Sequence, residues 1–482
     1  MTIVSRTTRI VSVMAILFTS TSSTIGAAQS TPRVPARPTP GPAKPFVFPK
    51  ISLQTLPNGL RLAVLENHEL PIVAVRVGFL GGTFLDAPGK EGGWALMLAS
   101  LREGTTMRSA AAIADAAADL GTNVEWPSAG LAPTSSFTTI KSAWQPILEL
   151  VADMVMHPSF QSDVLGRLQA AQANAAARPA QTALPLRVVV AKLYGPDHLY
   201  SRIFATDSSI RRVTRDDVVA LHTTYVRPQN TVIVVAGDIT TAEARAAVDK
   251  AFSSWRHTDT VIESKYLAPV TAPVPTTIYL RDFPGATQSN IMSGQIIPSR
   301  GSSDGAAIEA VDAILGGASA GSRMFDAFRV SRGLSYNPAS FIQWRPEPQA
   351  ANWITVATVA AEKTDSAVIE WIRVLRDAHG ERPLTATELE FSRKNLVRNL
   401  PAQLETVDAL ATSTLGILKN GLPESFYNDY VRNMNSLTLA QVQAAATKYI
   451  DPDHLVIAVV GDRAKLEGPL RATGIPVVIV DP

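Results

Sequence analysis

Seven histidines are spread along the chain: His68, His157, His198, His222, His257, His379 and His454, and no two lie within twenty residues of each other. Two imidazoles that share a zinc ion from one helix must sit three or four residues apart, so no such pair exists here. Cysteine is absent, which removes thiolate metal sites, disulfides and cysteine nucleophiles. Two local patterns remain. Gly317-Ala318-Ser319-Ala320-Gly321 has the spelling of a serine-hydrolase elbow, but an elbow needs a strand before the serine and a helix after it. Residues 306–315 instead have helical periodicity, so a glycine-rich helix stop is the preferred reading and a serine hydrolase acting through Ser319 the alternative. His198 has only Asp197 as an acidic neighbour, and is not read as a ligand or base.

The elements that would position any site are written twice. Val213-Thr214 opens a helical stretch through Val218 to Tyr225, followed by Pro228, the apolar run Val232–Ala236 and Gly237-Asp238. The same order returns at Leu437-Thr438, Val442, Tyr449, Pro452, Val456–Val460 and Gly461-Asp462. Thr214 and Thr438 are placed to cap their helices, Pro228 and Pro452 to end them, and the Val/Ile runs to form buried strands. In the first copy, 53–64, 72–80 and 131–140 read as strands and 91–101 and 109–120 as helices. In the second, 277–281, 289–297 and 350–360 read as strands and 304–315 as a helix. Thr385 with Glu388 predicts a capping box ahead of further long helices. The expected fold class is α+β, two homologous α/β sandwich halves in a clam-like arrangement. The first half is expected at 51–262 and the second at 275–482, with a linker near 257–275.

Composition agrees. A chain of 482 residues is too long for one compact core. With 46% apolar and 18% charged residues it has ample material for folded domains. A net charge of +2 argues against nucleic acid or an anionic membrane as the main partner. Residues 1–28 read as a secretory signal, with Arg6 and Arg9, the apolar stretch Ile10–Phe18 and the small residues Gly26-Ala27-Ala28. The apolar stretch is too short to span a bilayer. A bacterial periplasm is the expected location. A mitochondrial transit peptide is the alternative, since no acidic residue precedes Glu66. Residues 29–50 form a proline-rich tether.

The segments Leu56-Pro57-Asn58-Gly59-Leu60, Gly81–Asp86, Gly93–Thr105, Leu193–His198 and the two Gly-Asp strand ends together resemble the insulinase/pitrilysin-like zinc peptidases, the inverzincins. The likeness runs over about residues 50–482. In that family a helix carries H-x-x-E-H, two zinc-binding histidines and a glutamate that deprotonates the metal-bound water. The resemblance sets Leu96 and Ser100 at the histidine positions and Ala99 at the glutamate position. It sets the third, downstream glutamate ligand in the stretch 169–178, and no glutamate occurs between Glu149 and Glu243. The chain is therefore not expected to be a zinc peptidase by itself, and no metal is assigned to it.

The resemblance also implies an arginine and a tyrosine seven residues apart, after a glycine-rich helix–loop. Arg329 and Tyr336 match that pair, following Gly316-Gly317 and Gly321. A guanidinium can hold a substrate carbonyl or carboxylate, and a tyrosine hydroxyl can stabilise an oxyanion. Arg332 is read as a solvated charge at a helix end. The function implied is that of a non-catalytic subunit of an exported two-chain zinc metallopeptidase. Arg329 and Tyr336 would serve a cleft that takes an unstructured peptide, with zinc and H-x-x-E-H on a homologous partner. The alternative is a peptide-binding or scaffold pseudo-peptidase with no catalytic partner.

Overall fold

The computed structural model describes residues 46–480 apart from 125, 127–133, 197, 257–273, 318–319 and 347–349. The signal segment 1–28 and most of the tether and linker lie outside these residues, as does Ser319. Residues 46–482 make up one compact unit.

Eleven strands among the described residues form two mixed sheets. The first takes β1 (Ser52–Thr55), β2 (Arg61–Glu66), β3 (Ile72–Phe79), β4 (Thr134–Ile140) and β5 (Thr231–Gly237) in the order β1-β2-β5-β3-β4. The second takes β6 (Thr277–Asp282), β7 (Gln288–Ile297), β8 (Ala339–Gln343), β9 (Ala351–Ala360), β10 (Val456–Gly461) and β11 (Val477–Val480) in the order β11-β6-β10-β7-β9-β8. In both sheets a late, all-buried strand enters the middle. β5 runs parallel to β2 and antiparallel to β3, and β10 runs parallel to β6 and antiparallel to β7. A strand covered on both faces has no solvent side, which is why β5 and β10 are continuous Val/Ile runs rather than alternating ones.

The helix before each of these strands is capped as expected. Thr214 and Thr438 each accept an amide hydrogen bond from the third residue on and close a capping box, with Asp217 and Gln441. Thr385 does the same with Glu388. The α+β class holds.

The expected strand over 53–64 is corrected. Leu56–Leu60 is a turn, and β1 and β2 pair antiparallel from Ser52 opposite Val64 to Thr55 opposite Arg61. Gly59 takes φ +86°, a left-handed conformation that glycine adopts without strain. The Asn58 side chain ties the turn down by donating to the carbonyls of Phe252 and Trp255, at 3.1 and 3.3 Å.

Each half lends a helix to the sheet of the other. Helix Leu184–Tyr194 lies on β7 and β10, and helix Val407–Lys419 lies on β3 and β5. Val189, Leu193 and Tyr194 share a core with Met292, Ile354 and Ala458. Leu410, Ala411 and Leu415 share one with Val232, Val234 and Ala63. The exchanged helices occupy corresponding places in the duplicated unit, each directly after a long helix, Ser162–Ala177 or Ala386–Gln403.

Candidate functional site

The helix that the resemblance sets in place of the zinc peptidases' catalytic one is Gly93–Ser100. Its sequence, Gly-Trp-Ala-Leu-Met-Leu-Ala-Ser, is apolar on every side, and such a helix belongs in a core. All of its residues except Ala95 are buried. It packs between helices Ser162–Ala177 and Arg215–Tyr225. Asp86 fixes its start: the two carboxylate oxygens accept the amides of Gly92 and Trp94 at 2.8 and 2.7 Å. Burial pushes the Asp86 carboxyl up to about 7, with the two amides pulling the other way.

Leu96, Ala99 and Ser100 are all buried here. The Ser100 hydroxyl is spent inside the helix, donating to the Leu96 carbonyl at 2.7 Å. In the neighbouring helix, Gln169 donates to the carbonyls of Ile210 and Val213 at 2.8 and 2.7 Å and so pins the following loop. Two aliphatic side chains and a serine hydroxyl already bonded to the backbone do not fit a zinc ion, and no step in this chain is routed through one. Among the described residues no group of three or more His, Asp or Glu could hold a metal ion.

Arg329 and Tyr336 are brought together. Residues Asp326–Ser331 form a π-helical turn, a form often found at functional sites. The Phe328 carbonyl at its centre accepts the amides of Leu334 and Ser335. Gly333, at φ +58°, supplies the reversal. The Arg329 guanidinium then lies 4.1 Å from the Tyr336 ring centre and 5.1 Å from that of Phe325, within cation–π range of both. Tyr336 is 71% exposed, and its hydroxyl has no hydrogen-bond partner among the described residues. Arg323 anchors the segment through a two-pronged contact with Glu388 at 2.7 and 2.9 Å.

The two groups of expected site residues belong to different cores: Leu96 packs in one, and Phe328, beside Arg329, in the other. Phe325 was missed from the sequence. Its signal is the four-residue spacing to Arg329, which sets the two on one helical face. Arg332 is exposed at the end of the π-helical turn, as read from the sequence, and its Nε lies 3.0 Å from the buried Glu370, which also binds Arg373.

His198 is structural. It is buried, its Nδ1 accepts the Tyr200 amide at 3.1 Å, and its ring lies 4.7 Å from that of Tyr194. The serine-hydrolase elbow lacks its strand, because Gly305–Leu315 is a helix.

Two similarly built α/β units, the first holding the buried apolar helix Gly93–Ser100, make up the fold. Residues 212–396 match the family model described as the peptidase M16 inactive domain. The non-peptidase homolog YmxG of Helicobacter pylori is 20% identical over 404 residues, covering 83% of this chain and 91% of that one. The peptidase M16 inactive domain structure from Pseudomonas fluorescens aligns with TM-score 0.77 and 23% identity over 86% of this chain and 98% of its own. A protease from Helicobacter pylori aligns with TM-score 0.78 and 16% identity over 86% of this chain and all of its own. The periplasmic protease PqqL from Escherichia coli aligns with TM-score 0.71 and 16% identity over 86% of this chain but 45% of its own. The resemblance to the insulinase-like peptidases is borne out, and it is residues 212–396 that match the inactive domain. No helix among the described residues is long and apolar enough to cross a membrane.

Proposed function

We propose that this chain is the non-catalytic, substrate-binding subunit of an exported two-chain zinc metallopeptidase. The observation that supports it is the Arg329–Tyr336 pair, stacked at 4.1 Å and held on a glycine-framed turn with the tyrosine open to solvent. In the other core, the helix of Leu96, Ala99 and Ser100 has no ligand to offer. The zinc is assigned to a homologous partner with H-x-x-E-H, where it would polarise the scissile carbonyl and activate water. In this chain, Arg329 would donate to a carbonyl or carboxylate of an unstructured peptide. The Tyr336 hydroxyl would donate to the carbonyl oxygen as charge builds on it. The N-terminal 28 residues would direct export to a bacterial periplasm, the compartment named for the PqqL neighbour.

The test is reconstitution. The chain is mixed with a homologue from a neighbouring gene that carries H-x-x-E-H, and cleavage of an unstructured peptide is followed. Activity should need both chains and fall with Arg329→Ala and with Tyr336→Phe. Full activity with both variants would overturn the contribution of this pair. A second reading, a peptide-binding scaffold without a catalytic partner, is favoured by the non-peptidase designation of the YmxG relative. Affinity purification that recovers no H-x-x-E-H-bearing chain would support it instead.

A further inference from the structure

A cavity of about 600 Å³ opens between helices Gly305–Leu315, Ala386–Gln403 and Phe426–Ser436 and strand β8. That volume is within the range of small-molecule sites. Three charged residues line it: Arg300, Glu309 and Asp312. Arg300 and Glu309 neutralise each other, with Arg300 Nε donating to a Glu309 oxygen at 2.9 Å, and the Tyr430 hydroxyl donates to Glu309 as well. Asp312 has no such partner. One of its carboxylate oxygens accepts Trp353 Nε1 at 2.7 Å and the Ser340 hydroxyl. Both donors are neutral, and among the described residues no cation pairs with Asp312. Burial holds its carboxyl up at about 6, with the two hydrogen bonds pulling the other way. The cavity therefore carries one unbalanced negative charge at neutral pH, and a buried charge is costly until an opposite one joins it. Phe341, Trp344 and Tyr427 also line the cavity. Aromatic faces attract cations, and their area suits an apolar body better than a bare ion. Asn395, Asn399 and Gln403 add a row of carboxamides at four-residue spacing along one helix.

We infer that this cavity binds a primary amine in its ammonium form, the nitrogen on the second carboxylate oxygen of Asp312 and an apolar body against Phe341, Trp344 and Tyr427. A free arylalkylamine and the first residue of a peptide, when its side chain is apolar, share this chemistry. Only the peptide brings backbone amides for the row of Asn395, Asn399 and Gln403.

Two substitutions separate charge from space. Asp312→Asn keeps an oxygen for Trp353 and Ser340 and removes the negative charge. Asn399→Trp changes an exposed position of helix Ala386–Gln403 and fills the cavity.

The full chain is titrated calorimetrically at pH 7 with phenethylamine and with phenylalanyl-glycinamide, both of which carry an ammonium group there. Phenethyl alcohol and hydrocinnamoyl-glycinamide, which lack only the amine, serve as uncharged controls. Binding of either amine at least about tenfold tighter than its control supports the site. Preference for phenethylamine identifies the free amine as the source, and preference for the dipeptide amide identifies the peptide. Asp312→Asn should erase the advantage over the control, and Asn399→Trp should abolish binding. Circular dichroism confirms that each variant folds, and Asn399→Trp decides alone if Asp312→Asn does not. The proposal is overturned by absence of binding by both amines at millimolar concentration, by equal binding of amine and control, or by unchanged binding in either folded variant.

Discussion

A side-chain carbon placed on Gly78 of β3 would fall 2.6 Å from Cδ1 of Leu415, on the helix lent by the other half. The duplicated position behaves alike: a carbon on Gly294 of β7 would fall 2.5 Å from Cγ1 of Val189, on the opposite exchanged helix. Two glycines in equivalent strands thus let two helices approach two sheets. Leu415 and Val189 are buried, so neither neighbour can swing into solvent to make room.

Gly78→Val and Gly294→Val should therefore each destabilise the chain by about 1–3 kcal/mol through overpacking. Urea denaturation gives the loss directly. In Gly78→Val, a second change of Leu415→Ala should recover part of it, because the two residues share one space. Additive losses in that cycle would show that the glycine does not serve helix approach.

Rebuilding the lost motif should fail. Leu96→His, Ala99→Glu and Ser100→His together would restore the H-x-x-E-H spelling, but they would drive three polar groups into a helix buried on nearly all sides. Each unpaired buried polar group costs about 1–3 kcal/mol, and a third ligand is missing from helix Ser162–Ala177. The expected result is a protein with a much lower melting temperature and no bound zinc by atomic emission. A folded variant with one zinc per chain would show that this helix can reach an open cleft.

Two buried groups should give opposing pH dependences. Burial lowers His222 to about 4, with the Val155 carbonyl pulling the other way. Between about 6.5 and 4 the unfolded chain takes up a proton that the folded one refuses, so this contribution to stability is lost as pH falls. At pH 5 the loss is about 2 kcal/mol. Asp86 acts in reverse. Its folded value of about 7 lies above its unfolded one, so its contribution is present at low pH and is lost as pH rises through about 7. His222→Gln should gain stability relative to the parent as pH drops from 7.5 to 5, and Asp86→Asn should lose it. Parallel curves for parent and variants would refute these assignments.

What the chain spells locally was readable, and what it assembles at a distance was not. β5, β10 and the threonine caps follow from short runs whose physics is local, namely continuous β-branched residues and a hydroxyl three residues before an acceptor. The β1–β2 turn was hidden because apolar residues continue on both sides of Pro57-Asn58-Gly59. The exchange of helices Leu184–Tyr194 and Val407–Lys419 leaves no local mark, since an apolar face does not encode which sheet will cover it. The same holds for Arg332, whose partner Glu370 lies on a different helix. At the candidate site, absence was more legible than presence. Missing ligands can be counted along a sequence, whereas the Phe325–Arg329–Tyr336 stack had to be seen.

That stack makes a kinetic prediction for the reconstituted pair of chains. Arg329 lies between two rings, so its position depends on Phe325 as well as Tyr336. If the guanidinium grips the peptide in the ground state as well as in the transition state, Arg329→Ala should raise KM and leave kcat nearly unchanged. Phe325→Leu should do the same more weakly, because it removes only one side of the support. On the proposed function, Tyr336→Phe deletes a donor to charge that develops during reaction, so it should lower kcat by about tenfold or more with little effect on KM. Steady-state kinetics on one peptide separates the two patterns. Equal effects of all three changes on KM alone would make the pair a binding surface and remove it from the chemistry.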